Sequence, residues 1–254
     1  MGLASSFSRL ADYYRRNGSR ATFGRLGVAL RRSVLANRTA VFYLDLRSQE
    51  LSVAELPSPL DIERKRSESE MTAEELQRIT SFWNPKLARR NLKERFGLGA
   101  SLWLIKRRSQ IAGCGWTLQG RTVEPHYLKL GNNDVHLFDF HVFPEFRGRG
   151  LNPVFVINIL NRLSLESEGR AFIEAAEWNQ AQLRSLAKTP FKRLGLARKL
   201  SIMGRTVVSW DGTEAKDSVR GFVSRIPPGV LHRNRPDSLF GPGEMTVAEQ
   251  KKDT

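Results

Sequence analysis

The chain has 254 residues, with 41 Lys+Arg against 26 Asp+Glu and a formal net charge of +15. A hydrophobic content of 40% is that of a globular protein, and the length allows one large domain with appendages. The single cysteine, Cys114, excludes an intramolecular disulfide framework, and no apolar run approaches the ~20 residues of a membrane-spanning helix. So large a basic excess calls for an acidic partner: nucleic acid, an anionic membrane or a phosphorylated ligand. The four histidines (126, 136, 141 and 232) are scattered, no His/Cys cluster has metal-ligand spacing, and no metal is expected.

Residues 1–38 form a distinct segment. Eight arginines and one aspartate leave it at +7, and Leu3, Phe7, Leu10 and Tyr14 recur on one helical face. Phe23, Leu26, Leu30 and Val34 mark a second stripe. The expectation is two helices packed on the main domain or on a second copy in a homodimer. Peripheral contact with an anionic membrane is the alternative. The start Met1-Gly2-Leu3-Ala4-Ser5-Ser6 also fits the short myristoylation pattern, and there is no signal-peptide h-region. A cytoplasmic protein is expected, with the inner membrane face as a peripheral site.

Residues 39–48 read as a strand, and 39–59 as strand plus a linker containing Pro57 and Pro59. A second strand is expected over 60–66. Thr72 and Glu75 form a capping-box pair that starts a helix, and Pro85 opens the next, ending near Gly97 or Gly99. "SLWLIKR" and "QIAGCGWTLQG" predict a hairpin around Arg108-Ser109. Residues 133–144 predict a strand with Val135, Leu137, Asp139, His141 and Phe143 on one face and His136, Phe138, Phe140 and Val142 on the other. A helix follows, with Val154, Ile157, Leu160, Leu163 and Leu165 at helical apolar spacing. Then come the strand "AFIEAAEW", a helix capped by Asn179, and strand-rich sequence to residue 212. Residues 213–254 read as a polar tail, expected to be disordered.

Between that strand and helix lies "FRGRG", residues 146–150. A strand, a glycine turn and a helix start make an anion site: backbone N–H groups converge, and glycine lets a phosphate approach. Arg147 and Arg149 add charge and bidentate donors. The pattern lacks the Gly-Lys-Ser/Thr ending of a Walker A loop and the three spaced glycines of a dinucleotide fingerprint.

"HVFPEFRGRGLN" resembles the acyl-coenzyme A site of the GNAT superfamily of N-acyltransferases. Val142, Pro144, Glu145 and Phe146 match the family's lead-in, and Arg147 and Gly150 its Arg/Gln-x-x-Gly-x-Gly/Ala core. Asn152 stands where glycine or alanine is usual. Asn179 and "FKRLGL" are similar to the family's closing motif, with Leu196 replacing a phenylalanine and the spacing longer by about one helical turn. The resemblance covers residues 60–212. It implies an α/β (α+β) fold with a mixed, mostly antiparallel central sheet flanked by helices, the basic segment being an extension. At "VFYLDL" and in that segment the chain also resembles acyltransferases found with bacterial surface-polysaccharide synthesis.

The resemblance implies that acyl-CoA is a co-substrate, its pyrophosphate on the turn formed by Arg147, Gly148, Arg149, Gly150, Leu151 and Asn152. Its pantetheine arm would run along Val142, with Asn179 contributing. A small-molecule or sugar amine would attack the thioester directly. Asp139 and His141 are the candidate general bases, with Glu174 and Glu177 behind them. Where many relatives carry a tyrosine acid, this chain has Leu186. Two alternatives stand beside this: a degenerate GNAT domain that binds CoA or a partner without turnover, and a nucleic-acid binder prompted by charge. The latter lacks a recognition helix or interleaved aromatics.

Overall fold

Thr72 ends an extended stretch, and its hydroxyl accepts the Glu75 N–H while Glu75 Oε2 accepts the Thr72 N–H. This reciprocal cap starts α1 (Ala73–Ser81) where the sequence places it. Asn84 caps α2 (Pro85–Gly97), and Pro85 costs nothing at its first position because that N–H is unbonded anyway. The computed structural model describes residues 38–47, 56–82, 84–124, 126–202 and 205–211. The arginine-rich segment through residue 37, with its myristoylation pattern, and the tail after 211 lie outside the described residues.

Among the described residues, eight strands form one sheet. They are β1 (Arg38–Asp45), β2 (Leu60–Lys65), β3 (Ser101–Arg107), β4 (Gln110–Gln119), β5 (Val135–Val142), β6 (Arg170–Ala176), β7 (Lys192–Ile202) and β8 (Arg205–Asp211). The remaining helices are α3 (Leu151–Glu166) and α4 (Gln180–Leu186). Their spatial order is β2-β3-β4-β5-β6-β1-β7-β8. Every neighbouring pair is antiparallel except β5 and β6. The mixed, mostly antiparallel sheet with helices is thus present. No helix among the described residues is long and apolar enough to cross a membrane.

Three sequence expectations change. The boundary at residue 60 is not a boundary of the fold, because β1 pairs with both β6 and β7 in the interior of the sheet. An early strand can close a sheet that later residues build, and linear reading does not show this. In α3 the buried residues are Leu151, Phe155, Val156, Ile159, Leu160 and Leu163, while Leu165 is 89% exposed. The segment is apolar on most sides, so its periodicity left the inward face ambiguous. The alternation of β5 is also broken, as described below.

The core wraps β3 and β4, both almost wholly buried. Arg108 and Ser109 both take positive φ (49° and 69°), giving the β3–β4 hairpin a turn whose twist matches its strands. Glu75, 4% exposed, ties α1 to the sheet through Lys106 (2.7 Å) and Lys65 (3.4 Å). A second cluster packs Tyr127 and Leu128, from the irregular β4–β5 segment, on Val41, Phe172, Leu194 and Ala197.

Candidate active site

β5 pairs with β6 only over Val135–Leu137, opposite Ala171–Ile173. From Phe138 onward it keeps β4 alone, and the residues after Leu137 are half-buried instead of buried. The two parallel strands have separated, and the separation begins at a bulge. Trp116 lies opposite Phe138 and Cys114 opposite His141, so Gly115 alone faces Asp139 and Phe140. Asp139 takes φ 53°, the left-handed geometry of the extra residue in such a bulge. Gly115 makes room: a Cβ there would lie 2.6 Å from the Phe140 ring.

The bulge reverses the alternation. Leu137 and Phe140 turn to the core, Phe140 meeting Phe155 of α3 at 5.5 Å. Phe138, Asp139 and His141 turn to α1 and α2. Asp139 and His141 therefore do share a face, but not with Val135 and Leu137. Asp139 Oδ2 pairs with Arg95 of α2. Arg95 is 5% exposed and lies over the Trp116 and Phe138 rings (5.1 and 5.3 Å). Burial pushes the Asp139 carboxyl above its usual range, and the Arg95 guanidinium opposes that. His141 packs on Phe82 (4.7 Å), and burial, then Arg147, push its imidazole down to about 4.

At the end of β5 a 3-10 turn (Pro144–Phe146) leads to Arg147. Arg147 Nε donates to the Val142 carbonyl (3.0 Å), and its Nη2 lies 3.4 Å from His141 Nε2. Gly148 and Gly150 take φ 74° and 68°, which L side chains resist. A Cβ at either would meet nothing within 4 Å, so the turn faces open space. Gly150 caps α3 with no side-chain bond, which leaves the Leu151 and Asn152 N–H groups to an outside acceptor. Pro153 supplies no N–H, so the donors of this helix start are confined to the residues before it. Arg149 is exposed, its guanidinium 5.9 Å from the Phe146 ring centroid, and Leu151 is buried. A pyrophosphate fits this cradle: two unblocked glycines, free N–H groups, a helix start and two arginines.

Asn152 explains its departure from a small residue. Its Nδ2 donates to Ser185 Oγ (2.8 Å), tying the first turn of α3 to α4. Asn179 Oδ1 accepts the Gln182 N–H and caps α4, beside the same helices. Leu186 is fully buried and offers no acid, and burial raises the Cys114 thiol to about 12, so it is no nucleophile.

One cluster the sequence does not announce is His126, His136 and Glu174. They are far apart in sequence, yet their ligand atoms lie within 4.8 Å of one another, which corrects the expectation of scattered histidines. Burial opposes the Glu174 charge, but His136 and His126 hold the carboxyl well below its usual range. Burial also lowers the His126 imidazole. The register of β6 beside β5 and a loop residue make this cluster, and neither is visible as a motif.

The splayed parallel pair, the bulge and the uncapped glycine turn lie together in one mixed, mostly antiparallel sheet with helices. Similar solved structures are mostly acetyltransferases. An acetyltransferase from the GNAT family of Colwellia psychrerythraea is 11% identical, over 61% of this chain and 52% of that one, with a TM-score of 0.45. A GCN5-related N-acetyltransferase from Kribbella flavida is 11% identical, over 71% and 60%, at 0.41. A Bacillus subtilis acetyltransferase in complex with CoA is 16% identical, over 51% and 74%, at 0.39. The chain thus spans less than two thirds of the first two. No family model and no curated protein matches it.

Proposed function

We propose that the protein transfers an acetyl or other short acyl group from acyl-CoA to an amine acceptor. The observation that carries this is the opening of β5 from β6 directly before an uncapped glycine turn. The pyrophosphate would take the N–H groups around Gly148–Asn152 and the charges of Arg147 and Arg149. The thioester would lie along the unpaired edge of β5. The amine nitrogen attacks the carbonyl carbon, the C–S bond breaks, and the thiolate takes a proton from water, since Leu186 offers none.

Asp139 is the proton acceptor in this reading. Arg95 engages only its Oδ2, and an elevated carboxyl suits a base. His141, held neutral at pH 7, is the second candidate on that face. A screen of amine acceptors with acetyl-CoA, read by free-thiol release, tests the activity. Asp139→Asn should lower kcat by roughly 10²–10⁴-fold with little change in CoA affinity. A loss under about threefold moves the role to His141 and calls for His141→Gln.

The second reading is a CoA-binding module without turnover, favoured by the buried Leu186 where an acid would sit. CoA-induced thermal stabilisation with no thiol release from any amine would select it. A peripheral membrane role for residues 1–38 is a separate proposal. Deleting residues 1–37, which leaves β1 and the Arg38 ion pairs in place, should abolish sedimentation with anionic liposomes if they anchor the chain, and lower Tm if they pack on it.

A further inference from the structure

The buried and half-buried carboxylates outside the cradle have different partners. Glu75 pairs with Lys65 and Lys106, Asp134 with Arg170, and Asp139 with Arg95. Glu174 has two imidazoles and, among the described residues, no lysine or arginine. The Glu174 side chain is 25% exposed, and a carboxylate so largely shielded from water gains from a counter-charge.

We propose that His126, His136 and Glu174 form a site for a divalent cation of the zinc class. Glu174 Oε2 lies 2.8 Å from His136 Nε2 and 3.3 Å from His126 Nε2. Donors around a tetrahedral zinc, at ~2.0–2.1 Å from the metal, are themselves roughly 3.3 Å apart; both Glu174 distances are near that value, and with the whole set within 4.8 Å the two imidazole nitrogens have at most about 1.5 Å to close. Two imidazole nitrogens and one carboxylate oxygen are a borderline donor set that leaves a fourth position open. The imidazoles are 3% and 5% exposed, and Glu174 is the solvent-facing member.

Ring tautomers decide whether the nitrogens can coordinate. The Glu174 carboxylate accepts, so in the empty site His136 Nε2 carries the proton and donates to it; coordination moves that proton to Nδ1, which has no hydrogen-bond partner among the described residues. His126 Nδ1 accepts the Leu128 N–H at 3.3 Å, a long bond. Coordination through His126 Nε2 moves the proton to Nδ1 and opens that bond. The β4–β5 segment carrying His126 has no regular secondary structure, so the ring can turn without breaking a ladder.

The site stands independently of acyl transfer, and so does its test. Full-length protein stripped with EDTA is titrated with Co²⁺ and then Zn²⁺. One equivalent of Co²⁺ should give visible bands of tetrahedral intensity that Zn²⁺ displaces, with an EDTA-reversible rise in Tm. Glu174→Gln and His136→Gln, folded by circular dichroism, should bind more than about 100-fold more weakly, exceeding the cost of losing a mere hydrogen-bond partner of a ligand. Glu177→Gln, three residues on, should bind as the parent does. If His136→Gln does not fold, His126→Gln takes its place. Absence of both the bands and the Tm shift overturns the proposal and leaves a hydrogen-bonded carboxylate. Binding that survives in Glu174→Gln overturns it as well.

Discussion

The two sides of the opened β5 strand are built from different materials. Toward α3, the turn at 148–152 is a backbone surface: positive φ, open space over two glycines, and N–H groups left over from a helix start. Toward α1 and α2 the surface is side chains from α2, β5, β6 and the β4–β5 segment, held to one another by the Asp139–Arg95 ion pair and the contacts of Glu174 with two imidazoles. A backbone surface binds any ligand of the right charge and shape. A side-chain surface discriminates, and it is costly to disturb because its members are buried together. The first suits a constant group such as a pyrophosphate, the second a variable acceptor.

If this contrast is right, the largest effect on folding comes from the side-chain face. Arg95→Met removes the partner of Asp139 and should cost about 3–5 kcal/mol, measured by urea unfolding, because it strands a buried charge. Adding Asp139→Asn should recover part of that loss. Additive losses would mean that the pair is not coupled. On the backbone face, Gly150→Asp should leave stability within about 1–2 kcal/mol yet weaken CoA binding on the order of 100-fold, since one charge at ~4 Å is worth several kcal/mol. Unchanged CoA affinity in folded Gly150→Asp would remove the turn from the site.

Gly115→Ala probes the bulge that separates the faces. The added methyl must displace the Phe140 ring, and overpacking of this kind costs about 1–3 kcal/mol. Turnover should fall more than CoA affinity, because the turn itself is untouched. Equal stability and rate would show that the ring gives way freely.

The smallest effect concerns pH. His141 is about 4 in the folded chain against an ordinary 6.5, so the unfolded chain binds more protons between those values. Its contribution is full above about 6.5 and is lost as pH falls toward 4. Urea unfolding of His141→Gln should therefore show a shallower decline in stability from pH 6.5 to 4 than the parent. An unchanged slope would place the pH dependence elsewhere.

The cradle was legible from five letters because its chemistry is local. A strand, two glycines and a helix start are consecutive, and the conformation each glycine supplies is fixed by its missing Cβ. The capping box at Thr72 and the hairpin at Arg108-Ser109 were readable for the same reason. The face of Asp139 was half legible. Alternation predicted its companion His141, but a bulge adds one residue and reverses every position on one side of it. Only Gly115 hinted at this, and its meaning depends on a ring in the opposite strand.

The sequence by itself determined the order of elements, the caps, the turn and its basic charge, because these follow from neighbours within a few residues. The tertiary structure alone decided that β1 lies between β6 and β7, that Arg95 reaches Asp139, and that His126, His136 and Glu174 meet. Each of these contacts joins segments tens of residues apart. Pairing register and helix packing set them, and no local propensity carries that information.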